Sequence, residues 1–325
     1  MRIRKKNING KEYYYAQIDI RLEKGKRKSY SLYLGTKKPG DLRKVEERLY
    51  TNIFEEFFPK KKTIFLDKKI AVRIELARRK FNLKFEKFSK TDQENINENE
   101  IVDFVYTTLI TEGVHVSRED VETAFDLMTG KIKKILLDER IKISVQMIQG
   151  VREISKKKQK LTLRFLLDIH KTIMQGFQDK SPGEFRNTQV VILKATPTRP
   201  YGEEIKFKPP NFSEIKKLLK EFLKWINANK NKLTPIELAA LTHLKFYRIH
   251  PFKDGNKRIC RLLLNKILLD NNYPVLNVSK DRESYFGALI DSVEQKDDKL
   301  FVDFLATTFI EQYGKGILGL TRNKK

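Results

Sequence analysis

The chain has a single cysteine, Cys260, in 325 residues, so no disulfide forms within it. That usage fits a reducing compartment. Histidine is sparse as well. His115, His170, His243 and His250 are scattered and lack cysteine partners, which argues against a structural zinc site. No apolar run is long enough to span a bilayer, and no secretory-type apolar segment is visible, so no membrane partner is expected and the expected location is the cytoplasm. Acidic residues are in short supply, at 42 Asp/Glu against 67 Lys/Arg, for a net charge of +25. An excess of that size favours acidic partners such as nucleic acid, an acidic protein or nucleotide, without choosing among them. A lysine-rich source is the plain alternative. The 40% hydrophobic content is enough for a packed core, and 34% charged is no signature of disorder.

The most informative stretch is Arg248-Ile-His-Pro-Phe-Lys-Asp-Gly-Asn-Lys-Arg-Ile-Cys-Arg261. Apolar periodic segments flank it, Ile236 to Ile249 before and Ile259 to Leu269 after, so it reads as a polar loop between two helices. The second helix opens after Asp254-Gly255-Asn256. A helix N-terminus carries free N–H groups and a partial positive charge. Gly255 permits the close backbone approach that an anion needs. Arg258 and Arg261 are three apart and share a helical face. Together these residues suggest a phosphate pocket. Asp254 can hold Mg²⁺, Asn256 and the loop amides can meet phosphate oxygens, and the two guanidinium forks can neutralise the outer phosphates. His250, with a pKa near neutrality in free form, can take a proton from an incoming hydroxyl. The set describes phosphoryl or nucleotidyl transfer. Cys260 reads as a small core residue.

The stretch resembles the signature of the Fic (Fido) family, His-x-Phe-x-Asp/Glu-Gly-Asn-Gly/Lys-Arg-x-x-Arg, and meets every defined position from His250 to Arg261. The resemblance implies a mainly α fold, a Fic-type helical bundle with a short β-hairpin flap. It implies a protein adenylyltransferase, moving AMP from ATP to a Ser, Thr or Tyr hydroxyl of a target protein with Mg²⁺. His250 would be the general base and Asp254 the metal ligand, while Gly255, Asn256, Lys257, Arg258 and Arg261 would hold phosphates. Thr108-Leu-Ile-Thr-Glu112-Gly113 resembles the inhibitory-helix motif of some members, whose Glu pairs with the second signature arginine. Glu112 is therefore expected on Arg261, a carboxylate filling a fork that would otherwise hold the γ-phosphate. Val190, Val191 and Ile192 fall where the family has its flap, whose strand edge aligns a target segment. Tyr285-Phe286 resembles a segment lining the adenosine pocket, although Val293 stands where many members have Asn. Lys257 also occurs in the Doc branch, which transfers the γ-phosphate, so transfer of phosphate remains an alternative to transfer of AMP.

Three regions are expected: 1–62, 63–130 and 131–325. The first reads as a β-hairpin with Tyr14, Ala16, Ile18 and Ile20 alternating with polar positions, then a helix from Leu42 to before Pro59. It carries 18 Lys/Arg against 8 Asp/Glu, a net +10 in a fifth of the chain. A nucleic-acid partner through this basic, tyrosine-rich module is one reading; a strand pair docking on the main domain is the other. Beyond it, residues 64–90 read as a helix and Ser89 to Glu100 as a loop. Ile101 to Glu112 reads as a helix closed by Gly113, and Ser117-Arg-Glu-Asp120 as a capping box. Further helices are expected at 131–150, 161–178, 212–230 and 281–312, with a frayed tail at 322–325. Oligomeric state is left open.

Overall fold

In the computed structural model of the chain, which describes residues 1–23, 26–133, 138–157, 159–193 and 205–314, the first fold-back is made by Asn9 and Gly10. Both take positive φ, +50° and +77°, the conformation that a tight two-residue hairpin turn demands. The turn joins β1 (Arg2–Ile8) to β2 (Lys11–Glu23), and β2 pairs in turn with β3 (Lys26–Gly35). The result is a three-stranded antiparallel sheet rather than the expected two-stranded hairpin. The extra strand was hidden because Ile3 and Ile8 are its only apolar residues. Ala16, Ile18 and Ile20 point to the buried face. Against that face packs α1 (Leu42–Phe57), whose N-cap Asp41 accepts from the N–H groups of Arg43 and Lys44. Its Val45, Leu49, Ile53 and Phe54 bury one stripe. Helix α2 (Lys68–Phe85), capped by Asp67, completes the layer. These elements form one unit, Met1–Ser89, together with Asn231–Thr234 and the end of the last helix from Ala306.

The second unit, Lys90–Lys230 with Pro235–Leu305, is helical. It opens with α3 (Lys90–Thr111) and α4 (Arg118–Thr129). Ser117 and Asp120 form the anticipated capping box on α4, and Gly113 turns the chain between the two helices at φ +79°. Next come α5 (Glu139–Ser155) and α6 (Leu163–Met174), then a small ribbon of β4 (Ile192–Leu193) with β5 (Ile205–Phe207). The rest is α7 (Ile215–Asn229), α8 (Pro235–Ile249), α9 (Asn256–Asp270), α10 (Arg282–Glu294) and α11 (Asp298–Tyr313). Helices α8 and α9 are buried nearly all round: α8 is mostly apolar, while α9 also buries Asn256, Arg258, Arg261, Asn265 and Lys266. Each buried Leu or Ile there contributes roughly 1.5–3 kcal/mol, so this pair anchors the loop between them. Gly150 lets α5 approach closely, since a Cβ there would sit 2.6 Å from Ile173 Cγ2 and 3.3 Å from Leu262 Cδ1.

Three expectations need correction. The polar run Ser89 to Glu100 is not a loop: from Lys90 it is the first half of α3. It contains no Gly or Pro, and its exposed turns are carried by the apolar half from Ile101 onward. The helix expected from 131 begins at Glu139, where Asp138 caps it; residues 134–137 lie outside the described residues. The stretch 281–312 is two helices, broken around Lys296 at φ +54°. The tail 322–325 lies outside the described residues. No helix among the described residues is long and apolar enough to cross a membrane.

Candidate active site

Helix α8 ends because His250 adopts φ +49° ahead of Pro251, a position where proline disfavours helical backbone. The loop that follows is closed by Asn256, whose side chain accepts from the Phe252 N–H at 2.9 Å and donates to the Phe252 carbonyl at 2.8 Å. Gly255 caps α9 at φ +75°, and a Cβ there would meet Met174 Sδ at 2.9 Å. Both conformation and space therefore require glycine. The first N–H groups of α9 lie at the end of this loop without helical partners.

Two residues that sequence reasoning passed over shape the loop. His170, on α6, stacks on Phe252 with ring centroids 3.7 Å apart. Gly183 N–H donates to its Nδ1 at 2.9 Å, so Nε2 carries the proton and donates to the Asp254 carbonyl at 3.1 Å. Burial holds its pKa down to about 4, with Arg258 adding. Arg186 donates to the carbonyls of His250 (2.8 Å), Thr188 (3.0 Å) and Pro210 (2.6 Å), and its own N–H donates to Pro251 O at 2.9 Å. One guanidinium thus ties the signature loop to the approach of the ribbon. The only sequence signal was the Pro182-Gly-Glu-Phe-Arg186 run ahead of that ribbon.

His250 Nδ1 lies 3.3 Å from the Tyr247 carbonyl and donates to it as the ring protonated there. That leaves Nε2 as a lone pair. Burial, and then Arg186 and Lys257, lower its pKa to about 4, so the ring is neutral near pH 7. Asp254 is 42% exposed at its side chain and sits 3.9 Å from Arg258 Nη2. Its Oδ1 accepts from Gly255 N–H at 2.6 Å.

The two arginines are buried. Arg258 lies over the Phe177 ring at 5.3 Å, and its Nε and Nη1 find no hydrogen-bond partner among the described residues. Arg261 is 0% exposed at its side chain; its Nη2 donates to Glu112 Oε1 at 2.7 Å and to Thr108 O at 3.3 Å, and its Nε has no partner among the described residues. Glu112, 8% exposed, follows α3 directly, and its second oxygen lies 3.1 Å from Lys257 Nζ. Burial opposes its ionisation, but Arg261, Lys257 and Arg258 more than offset that and hold its pKa at about 2. Thr108 contributes its carbonyl, not its hydroxyl. Tyr285 is fully buried, accepting from Arg261 Nη1 at 3.4 Å, with its own hydroxyl 3.0 Å from His243 Nε2. Phe286, next to it, lies under Lys257 Nζ at 4.8 Å.

His250, Asp254, Gly255, Asn256, Lys257, Arg258, Arg261, Glu112, Thr108 and Tyr285 therefore belong to one region of the helical unit. The ribbon differs from expectation in extent. Its strand starts at Ile192, paired with Phe207, so Val190 and Val191 precede it rather than lie within it. Residues 194–204 lie outside the described residues.

The helical unit, with its buried helix pair and this loop at their junction, has the fold of Fic-type helical domains. Residues 160–268 match the Fic/DOC family. Similar chains include the protein adenylyltransferase Fic of Drosophila grimshawi, 33% identical over 150 residues (46% of this chain and 29% of the relative). The corresponding protein of Culex quinquefasciatus is 33% identical over 147 residues, 45% of this chain and 27% of that relative. The chain thus spans under a third of the length of these curated relatives. Among solved structures, a Fic domain containing signaling protein from Bacteroides thetaiotaomicron superposes with a TM-score of 0.63 at 25% identity, covering 74% of this chain and 94% of that one. Fic-1 of C. elegans superposes with a TM-score of 0.59 at 19% identity, covering 85% and 77%, and shares the fold.

Proposed function

We propose that the protein transfers AMP from ATP to a hydroxyl side chain of a protein target, and that Glu112 restrains the reaction. The observation that carries this reading is the pair of buried guanidinium groups with unpartnered N–H donors beside the free N–H groups of α9. A buried unsatisfied donor costs about 1–3 kcal/mol, more when charged, and phosphate oxygens would supply the missing acceptors. Arg258 and the N–H groups at the start of α9 would take the α- and β-phosphates, and Arg261 the γ-phosphate once Glu112 leaves it.

The target hydroxyl oxygen attacks the α-phosphorus and its proton passes to His250 Nε2. The bond from the α-phosphorus to the β-bridging oxygen breaks, and pyrophosphate leaves. Nδ1–H on the Tyr247 carbonyl fixes the ring in the tautomer that accepts at Nε2. Asp254 fits a Mg²⁺ of the kind that needs one or two carboxylates plus substrate phosphates, and such an ion would neutralise charge building on the phosphates. No cluster of three His, Cys, Asp or Glu occurs among the described residues, so a dedicated all-protein cage is not the design. The exposed edge next to Val191 would align the target segment by backbone pairing.

The test uses wild-type, Glu112→Gly and His250→Ala proteins with Mg²⁺ and ATP labelled at the α or the γ position. An AMP-sized mass gain from α-label, stronger in Glu112→Gly and absent in His250→Ala, supports the proposal. A phosphate-sized gain from γ-label would overturn it in favour of the phosphate transfer that Lys257 raises.

A further inference from the structure

The N-terminal sheet buries one face and leaves the other open, and nothing in the proposed reaction uses it. Pairing places Arg2 opposite Gln17, Arg4 opposite Tyr15, Lys6 opposite Tyr13 and Ile8 opposite Lys11; Tyr15 in turn faces Tyr33 of β3. Because side chains alternate across a sheet, all of these share the face opposite to buried Ala16, Ile18 and Ile20. We infer that this open face is a docking surface for double-stranded DNA. The inference does not depend on the reaction proposed above.

The face has two halves. In one, Asp19 gathers Arg2 and Arg27 in ion pairs and accepts from Gln17 and Ser29, so its cations are partly neutralised. In the other, Arg4, Lys6 and Lys11 are exposed and make no ion pair among the described residues. Between these cations lies a floor of tyrosines. Tyr33, 52% exposed, packs against Tyr15 at 5.4 Å and Tyr13 at 6.2 Å between ring centroids, and Lys6 Nζ stands 5.0 Å over Tyr15.

Three arguments select a duplex. Charge complementarity calls for a polyanion, since the region 1–62 carries a net +10. Alternate residues on a strand lie about 6.8 Å apart, so Arg4 and Lys6 are far enough apart to reach separate phosphates of one DNA strand. The axes of the two outer strands lie about 10 Å apart, so the face is of the same scale as a major groove about 12 Å wide. A single strand is disfavoured because Tyr13 and Tyr15 are tilted at 43° and 49° to Tyr33, so the rings do not form one flat platform. Stacking of successive unpaired bases needs ring faces presented to them. Tyrosine hydroxyls and cations on a rigid floor instead suit phosphate and sugar contacts along a duplex.

The experiment measures binding of the full chain to a fluorescent random-sequence DNA duplex of about 20 bp, over about 50 to 200 mM salt. The sheet variant is Arg4→Gln/Lys6→Gln/Lys11→Gln. A charge-matched control, Lys216→Gln/Lys217→Gln/Lys220→Gln, removes exposed cations from α7. Thermal melting confirms that both stay folded. The expected result is a salt slope shallower by up to about 2.7 and affinity at least about tenfold weaker for the sheet variant, with the control near wild type. Tyr33→Ala should weaken binding without changing the slope. Equal weakening by the two triple variants would reduce the effect to net charge and overturn the inference. So would tighter binding of a single strand of the same length, or no binding at the lowest salt.

Discussion

Glu112→Gly is the most demanding perturbation of the site, because it should weaken the fold and raise activity together. The Glu112 carboxylate and the Arg261 guanidinium are 8% and 0% exposed and lie 2.7 Å apart. Removing one partner of such a pair leaves the other charged and buried, which costs about 3–5 kcal/mol. In a cooperative unit of some two hundred residues each kcal/mol lowers Tm by about 2–4 °C, so the variant should melt on the order of 10 °C below wild type. ATP changes this comparison. Under the proposed function a γ-phosphate would meet an unopposed Arg261 in the variant, whereas in the wild type it would first have to displace Glu112. Saturating ATP with Mg²⁺ should therefore restore a good part of the lost Tm in the variant and shift the wild type less. Differential scanning fluorimetry with and without nucleotide reads both quantities. A variant melting within a degree or two of wild type, with equal ATP shifts in both, would refute the idea that Glu112 and a phosphate compete for Arg261.

His250→Ala should lower AMP transfer by roughly 100- to 10,000-fold, the range for loss of a general base, without comparable loss in nucleotide-induced Tm shift; labelling rates and melts check it. Lys257→Met removes one of the two cations on Glu112, so it should raise basal labelling above wild type but below Glu112→Gly, and the label position shows whether the same phosphorus is attacked. Acid should destabilise the protein in two steps. His170 and His250 have folded pKa values near 4 against 6.5 unfolded, so the unfolded chain binds more protons between these values. Their stability is complete above pH 6.5 and lost as pH falls toward 4, at roughly 1.4 kcal/mol per pH unit for each proton. Glu112, lowered from 4.5 to about 2, adds its own loss only below 4.5. Urea unfolding from pH 7 to 4 measures the first step, and His170→Gln should make its slope shallower.

Much of the helical scaffold was legible because capping chemistry and apolar spacing are local. Asp41, Ser117 with Asp120, and Gly113 marked ends that the structure keeps. The first half of α3 was not legible, because a polar sequence with no breaker fits a loop as well as an exposed helix stabilised from beyond its own window. Strand β1 failed for a related reason: its cations alternate with little apolar signal, and Asn9-Gly10 was the one usable clue. Within the site, the signature loop announced its own residues. His170 and Arg186 did not, since each acts through a backbone carbonyl reached only in three dimensions. The Lys257–Glu112 contact joins residues far apart in the chain, and no periodicity reports it.

That contact has a consequence for how the carboxylate is released. Glu112 is chelated, one oxygen on Arg261 and the other on Lys257. When either contact opens, the remaining one keeps the carboxylate at a high effective concentration, about millimolar or more, and recapture is favoured. A monoanion competing for Arg261 alone therefore meets a tethered rival that returns quickly. A polyanion that engages both cations at once would remove the tether along with the occupant, so under the proposed function the chelate would discriminate among nucleotides by the number of charges they bring.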